Sequence, residues 1–316
     1  MKHDILAIDI GGSKYMTGLL NEEGGIYAAN RCACTPGSGE KVMAGIIAAA
    51  RLLLEKNPDY RPDCIGVTIP GLADPKMGYW VEASFSGINN IPVAAILSKE
   101  FGIPVYIDND AQACALAERL FGACRGVGDF LYLTVSNGIG GAIFAKDSLY
   151  YGAFGNAGEL GHITVVENGR PCKCGKSGCL EMYAAGPGIV RNYMELGGCG
   201  TTEKREVDAK YIAGLAAKED PLAVETFKLE GYYLGKAIAG ACNLINPRYV
   251  IIGGGVSLAF AVYEKYLLEN IRRFIYRSAN KELKIMPSAF GYNGGLLGAA
   301  AVAVCGRCKK FGWGTF

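Results

Sequence analysis

An apolar run that stops at glycines and resumes as strand occurs twice in this chain, and that repeat constrains the fold more than any other feature. Ile5-Leu6-Ala7-Ile8-Asp9-Ile10 stops at Gly11-Gly12 and resumes over Tyr15 to Leu20, before the turn residues Asn21 to Gly25. Phe130-Leu131-Tyr132-Leu133-Thr134-Val135 ends in Ser136-Asn137-Gly138-Ile139-Gly140-Gly141 and continues over Ala142 to Ala145. The identity between the two segments is weak and the pattern is the same, which predicts two related domains facing each other across a cleft lined by both glycine tips. Length agrees, because 316 residues exceed the roughly 250 to 300 at which one core stops growing. The expected division is an N-terminal α/β domain at 1–118 and a second at 119–295 that contains a Gly- and Cys-rich loop at 158–181, with a closing helix in 296–316 packing back on the first.

Between these landmarks the periodicity alternates. Helices are expected over Val42 to Lys56, Pro92 to Phe101, Ala111 to Phe121, Asp220-Pro221 to about Leu244, and Leu296 to Val304, with strands at Ile26 to Cys34, Cys64 to Ile69, Val105 to Ile107 and Tyr249 to Ile252. The chain is α/β throughout, with no low-complexity linker. A formal charge of +2 provides no global field for nucleic acid or an anionic membrane, so neither is an expected partner. No stretch approaches about 18 uncharged apolar residues, and the first apolar run is cut by Asp9, so the chain reads as neither secreted nor membrane-spanning, that is, cytoplasmic. Twelve cysteines in this length fall short of a disulfide scaffold and suit cytosolic thiols, some on a metal.

The 45 glycines are about twice the usual share, and their clusters mark where backbone approaches a ligand. At Asp9-Ile10-Gly11-Gly12-Ser13-Lys14 the glycines let N–H groups face a polyphosphate, Ser13 and Lys14 add donors, and Asp9 is suited to hydrated Mg²⁺. A plain hairpin turn explains one such tip. Two tips, with Thr134, Asn137 and Gly138 at the second, plus Gly253-Gly254-Gly255 after a later strand, suggest phosphates and a nucleoside. Asp110 fits two roles, an N-cap for the helix behind it or a strand-end base that accepts a proton from an attacking hydroxyl, and Asp108 competes for the second. His162, Cys172, Cys174 and Cys179 form H-x9-C-x-C-x4-C, a tetrahedral Zn²⁺ set. Its four protein donors leave no open position, so such a zinc is structural. Glu159 and Glu181 flank that set, and an ordered loop would bring both carboxylates near one place, where sugar hydroxyls need acceptors. Cys305-x-x-Cys308 lacks a second ligand pair.

Together these pieces resemble the ROK family of sugar kinases and repressors, of the actin, hsp70 and hexokinase-like (ribonuclease H-like) fold group, over nearly the whole chain. The most specific part is Gly158-Glu159-Leu160-Gly161-His162 with Cys172-Lys173-Cys174-Gly175-Lys176-Ser177-Gly178-Cys179-Leu180-Glu181, which looks like the family zinc signature. Asp9 to Lys14 is similar to the first phosphate loop, with Ser13 where threonine is commoner, and residues 134 to 141 are similar to the second, with Ser136-Asn137 in place of glycine and threonine. The resemblance implies an ATP-dependent hexose kinase using Mg²⁺, structural Zn²⁺ and the sugar 6-hydroxyl, glucokinase-like first, with N-acetylmannosamine, fructose, mannose or allose as other acceptors. Asp110 would be the base, Asn109 and the Pro70-Gly71 loop would lie against sugar, Glu159, His162 and Glu181 would contact its hydroxyls, and Gly253 to Gly255 would lie by the adenosine. Ala83-Ser84-Phe85-Ser86-Gly87-Ile88 replaces the frequent asparagine-leucine-x-glycine-tryptophan segment. The family's repressors have a winged helix-turn-helix ahead of the first phosphate loop, and with the first strand starting near residue 5 none is expected here. A homo-oligomer, a dimer first, is the expected assembly, and a catalytically idle sugar-binding sensor is the alternative function.

Overall fold

The opening apolar run is strand β1 (Asp4–Ile10), and because both faces are covered, Ile5, Leu6, Ala7 and Ile8 have no exposed surface. The structure is a computed structural model that describes residues 4–12, 14–33, 39–83, 88–199 and 207–313. It continues with β2 (Lys14–Asn21), β3 (Ile26–Ala33), α1 (Gly39–Lys56), β4 (Cys64–Ile69), β5 (Leu72–Asp74), β6 (Tyr79–Ala83), β7 (Ile88–Ile91), α2 (Val93–Phe101), β8 (Val105–Asn109) and α3 (Asp110–Leu120). Next come β9 (Phe130–Val135), β10 (Ile139–Ala145), β11 (Ser148–Tyr150), α4 (Glu181–Ala184), α5 (Gly186–Glu195), α6 (Ala209–Ala216) and α7 (Pro221–Ile245). β12 (Tyr249–Gly253), α8 (Phe260–Phe274), β13 (Lys284–Pro287) and α9 (Gly294–Cys308) complete the chain.

Contacts divide the chain into two compact units, Met1–Gly128 with Ala142–Ala157 and Tyr292–Phe316, and Asp129–Gly141 with Gly158–Gly291. The first sheet has the order β3-β2-β1-β4-β8, with β1, β4 and β8 parallel. Leu6, Ile8 and Ile10 join Val42, Met43, Ile46 and Leu53 of α1 in one core on one face. The other face takes α9, whose residues Leu296 to Gly306 are all buried. That packing depends on small residues: a Cβ added at Gly66 would lie 1.8 Å from the Ala299 carbonyl oxygen, so only glycine admits the helix here. The second sheet has the order β11-β10-β9-β12-β13.

Differences from the sequence reading are local. The small antiparallel sheet β5-β6-β7 was not anticipated, because its strands are too short for periodicity to register. Trp80 anchors it, 1% exposed, its indole N–H donating to the Pro70 carbonyl at 2.8 Å. Residues 84–87, part of the segment that departs from the family pattern, lie outside the described residues, as does the Ile88 side chain. β11, β13 and α4 to α6 were likewise not anticipated. α7 starts where Asp220-Pro221 predicts, the Asp220 carboxylate accepting from the Ala223 N–H at 2.9 Å.

Candidate active site and metal centre

In the first unit the parallel register brings the ends of β1, β4 and β8 into one row, Asp9 opposite Thr68 and Thr68 opposite Asp108. Carboxyl ends of parallel strands are where α/β sheets place ligands. The Thr68 hydroxyl donates to Asp9 Oδ1 at 2.7 Å. A Cβ on Gly295, at the start of α9, would fall 2.3 Å from the Asp9 carboxyl, so Asp9 lies at that helix's N-terminus. Burial raises the Asp9 carboxyl, opposed by the Thr68 hydrogen bond and the Lys14 charge. The adjoining tip is closed by the Gly11 N–H donating to the Lys14 carbonyl at 2.8 Å, leaving Gly12 exposed. Ser13 lies outside the described residues.

Asn109 occupies the N-cap of α3, and Asp110 behind it also accepts from the Ala111 N–H, through Oδ1 at 2.7 Å. Asn109 has extended backbone (φ −62, ψ 147), and its side-chain oxygen accepts from the N–H groups of Ala111 and Gln112. An amide oxygen one residue earlier reaches the first-turn donors, and Asp110 takes the first helical position, half-buried. The Asn109 Nδ2 also donates to the Gly71 carbonyl at 2.8 Å, tying the Pro70-Gly71 loop to this turn and leaving one amide hydrogen for a ligand.

Asp108 is fully buried with both oxygens engaged: Tyr151 O–H donates to Oδ2 at 2.6 Å and the Asn109 N–H to Oδ1 at 2.8 Å. Burial pushes its carboxyl from 3.8 to about 7, against those donors. A carboxyl raised on folding holds its proton more tightly in the folded chain than in the unfolded one. Its contribution to stability therefore falls as pH rises from about 4 to about 7 and is level outside that window. Asp108→Asn is expected to flatten this slope, as read by thermal unfolding at a series of pH values. An unchanged slope would place the titration elsewhere.

In the second unit, β9 and β12 run parallel with Gly253 opposite Thr134, so the second glycine tip and the Gly253-Gly254-Gly255 turn leave one sheet edge together. Gly254 has φ +82, and a Cβ there would meet the Val135 carbonyl oxygen at 2.3 Å, which reserves the position for glycine. Ser136 and Asn137 are exposed at the tip and Gly138 is half-buried. The Ile139 N–H donates to Glu181 Oε2 at 3.0 Å, so Glu181, at the start of α4, is fixed against this tip.

His162, Cys172, Cys174 and Cys179 converge, their donor atoms all within 4.8 Å of one another. Cys174 Sγ and Cys179 Sγ are 3.6 Å apart, and Cys172 Sγ and His162 Nδ1 3.7 Å. A tetrahedron built on zinc–sulfur bonds of about 2.3 Å has edges of about 3.8 Å, so these two pairs stand at the spacing one ion requires and all four donors lie close to it. The loop folds this way because the Cys172 N–H donates to the Lys176 carbonyl and the Gly175 N–H to the Cys172 carbonyl, closing a turn between the first two thiols. Burial, then the Cys174 and Cys172 thiols, push Cys179 up to about 12, a disfavoured ionisation that a dication would reverse. The other nitrogen of His162, Nε2, lies 3.8 Å from Glu159 Oε2, so one ring addresses both the thiol cluster and an exposed carboxylate.

Thr68, Tyr151 and the approach of Gly295 to Asp9 escaped the sequence reading. Thr68 left one trace, a hydroxyl near the end of an apolar strand.

A model of the ROK family matches residues 5–305, and the chain belongs to that family. The glucokinase of Thermotoga maritima is 32% identical over 95% of this chain and 97% of its own length. The xylose repressor of Bacillus spizizenii is 27% identical over 95% of this chain and 76% of its own. Among solved structures, a ROK glucokinase from Streptomyces griseus in complex with glucose and AMPPNP superposes with a TM-score of 0.84, at 30% identity, covering 95% of this chain and 99% of that one. The fold is the actin/hexokinase-like α/β fold of the ROK kinases. Among the described residues no helix is long and apolar enough to cross a membrane.

Proposed function

We propose that the protein is an ATP-dependent hexose kinase acting first on the 6-hydroxyl of a glucose-like sugar. The observation that carries this reading is the row of strand ends Asp9, Thr68 and Asn109-Asp110, which sets a half-buried carboxylate one residue past a polar cap, two strands across the same sheet from the first glycine tip. Kinase relatives aligned over nearly their whole lengths support it. From the first unit, Asp110 accepts the proton of the attacking hydroxyl, Asn109 and the Gly71 loop orient the sugar, and Lys14 with the amides around Gly11 and Gly12 binds phosphate. From the second unit, Glu159, His162 and Glu181 accept or donate to sugar hydroxyls, Thr134, Asn137 and Gly138 meet phosphate, and Gly253 to Gly255 pass the adenosine. Mg²⁺, which neutralises phosphate charge when bound, suits the Asp9 carboxylate.

Zinc suits His162, Cys172, Cys174 and Cys179, where it holds the loop and leaves no open position for a reactive water. A sugar-responsive regulator without turnover is the second reading, favoured by the alignment with the xylose repressor over nearly all of this chain. Sugar-dependent ADP release decides between them. With glucose, mannose, N-acetylmannosamine, fructose and allose each offered at saturating MgATP, one or two sugars are expected to turn over. Binding of a sugar without any ADP release would favour the regulator.

A further inference from the structure

The sheet face that meets α9 also brings two cations together at the first glycine tip. Arg31 on β3 pairs with Met16 on β2, which places it diagonal to Lys14 on the same face, within reach of a long side chain. Lys14 Nζ and the Arg31 guanidinium carbon each lie 5.7 Å from the centre of the Tyr292 ring. Tyr292 lies two residues before the first residue of α9, next to the cap Asn293, which makes no side-chain cap bond. The first turn of that 15-residue helix therefore sits beside Asp9 at the same tip. Burial, then the Arg31 charge, lowers the Lys14 ammonium, with Asp9 opposing. An exposed arginine on an edge strand is ordinarily only solvated. Here it is held against a like charge at a phosphate-type turn, and an anion between the two would relieve their repulsion.

Resting on the kinase reading, we propose that Arg31, steadied by Tyr292, is a further binding group for the terminal phosphates of a nucleoside triphosphate, acting beside Lys14 and the first glycine tip. A guanidinium fork matches two phosphate oxygens where an ammonium offers a point charge, so the pair suits a polyphosphate chain better than a single phosphate.

Calorimetric titration without sugar, with Mg²⁺ present throughout, tests this using ATP, AMP and inorganic tripolyphosphate as probes. Arg31→Gln is expected to weaken ATP and tripolyphosphate by about tenfold or more and leave AMP unchanged, the loss of a charge-assisted bond. Tyr292→Leu shifts the same two probes in the same direction by less. Arg51→Gln, on α1 and paired with Glu100, leaves all three unchanged. Arg31→Gln binding ATP and tripolyphosphate as tightly as the unmodified chain overturns the proposal, as does an unmodified chain that binds no tripolyphosphate. If the unmodified chain binds tripolyphosphate through Arg31 but phosphorylates no sugar, the phosphate site stands and the kinase reading falls. If it phosphorylates a hexose and Arg31→Gln is silent, the reverse holds.

Discussion

Asp110→Asn is expected to lower hexose turnover by ~10²- to 10⁴-fold, the range over which a positioned general base contributes, while sugar binding by calorimetry stays within about twofold. The two quantities separate because the carboxylate and the amide have nearly the same shape and both accept a hydrogen bond, and only the carboxylate can take the proton. Folding should not confuse the result. Asn109 holds the N-cap of α3, and the variant's amide oxygen at position 110 can still accept from the Ala111 N–H that Asp110 Oδ1 takes at 2.7 Å, so the helix keeps its side-chain acceptors. Asp108→Asn is the comparison. Asp108 is buried with both oxygens taken by Tyr151 and the Asn109 amide, so its amide variant should lose the pH slope of stability and retain most turnover. If Asp110→Asn turned over at the full rate, Asp110 would not be the base. Loss of sugar affinity in proportion to turnover would make it a binding group.

How much of this was legible in the sequence depends on the distance over which each feature is encoded. The two glycine tips and the Asp220-Pro221 helix start were readable, because strand, turn and cap are set by a few adjacent residues. The thiol–imidazole cluster was readable for a related reason: three of its donors fall within eight residues, Cys172 to Cys179, and little else assembles such side chains so densely. Pairings that cross the sheet were not. Thr68 and Asp9 are 59 positions apart and Tyr151 and Asp108 are 43 apart, and nothing in either local sequence names the partner. The close contact of α9 at Gly66 was invisible in the same way, since a glycine inside an apolar strand says that something approaches without saying what. The capping choice between Asn109 and Asp110 turned on a single residue of register, finer than helix boundaries can be drawn from pattern alone.

Removing the metal is expected to disable the sugar side and spare the nucleotide side. Metal analysis of the purified chain should find one zinc per chain, and Cys179→Ser, or prolonged chelation, should abolish it. Cys179 is the ligand to change because it is buried and its neighbour Leu180 donates its N–H to the Ile163 carbonyl, so the ion and the backbone fold the loop at the same place. Without the cation, three thiols and an imidazole lose the one partner that binds them to each other, and the loop should open. Glu159 and His162 lie at one end of that loop and Glu181 lies two residues after Cys179 at the other, so all three lose their placement together. Hexose affinity should fall by ~10- to 100-fold or more, the effect seen when groups that orient metal sites are lost. ATP and tripolyphosphate binding should change less, because Lys14 and the first glycine tip are remote in sequence from the loop and only the second tip, where Glu181 accepts from the Ile139 N–H, is touched. Unlike Asp110→Asn, this variant should raise the hexose KM more than it lowers kcat at saturating sugar, because the carboxylate that takes the proton is untouched. A chain purified free of zinc that still bound hexose with full affinity would show that the loop holds its acidic residues in place without an ion.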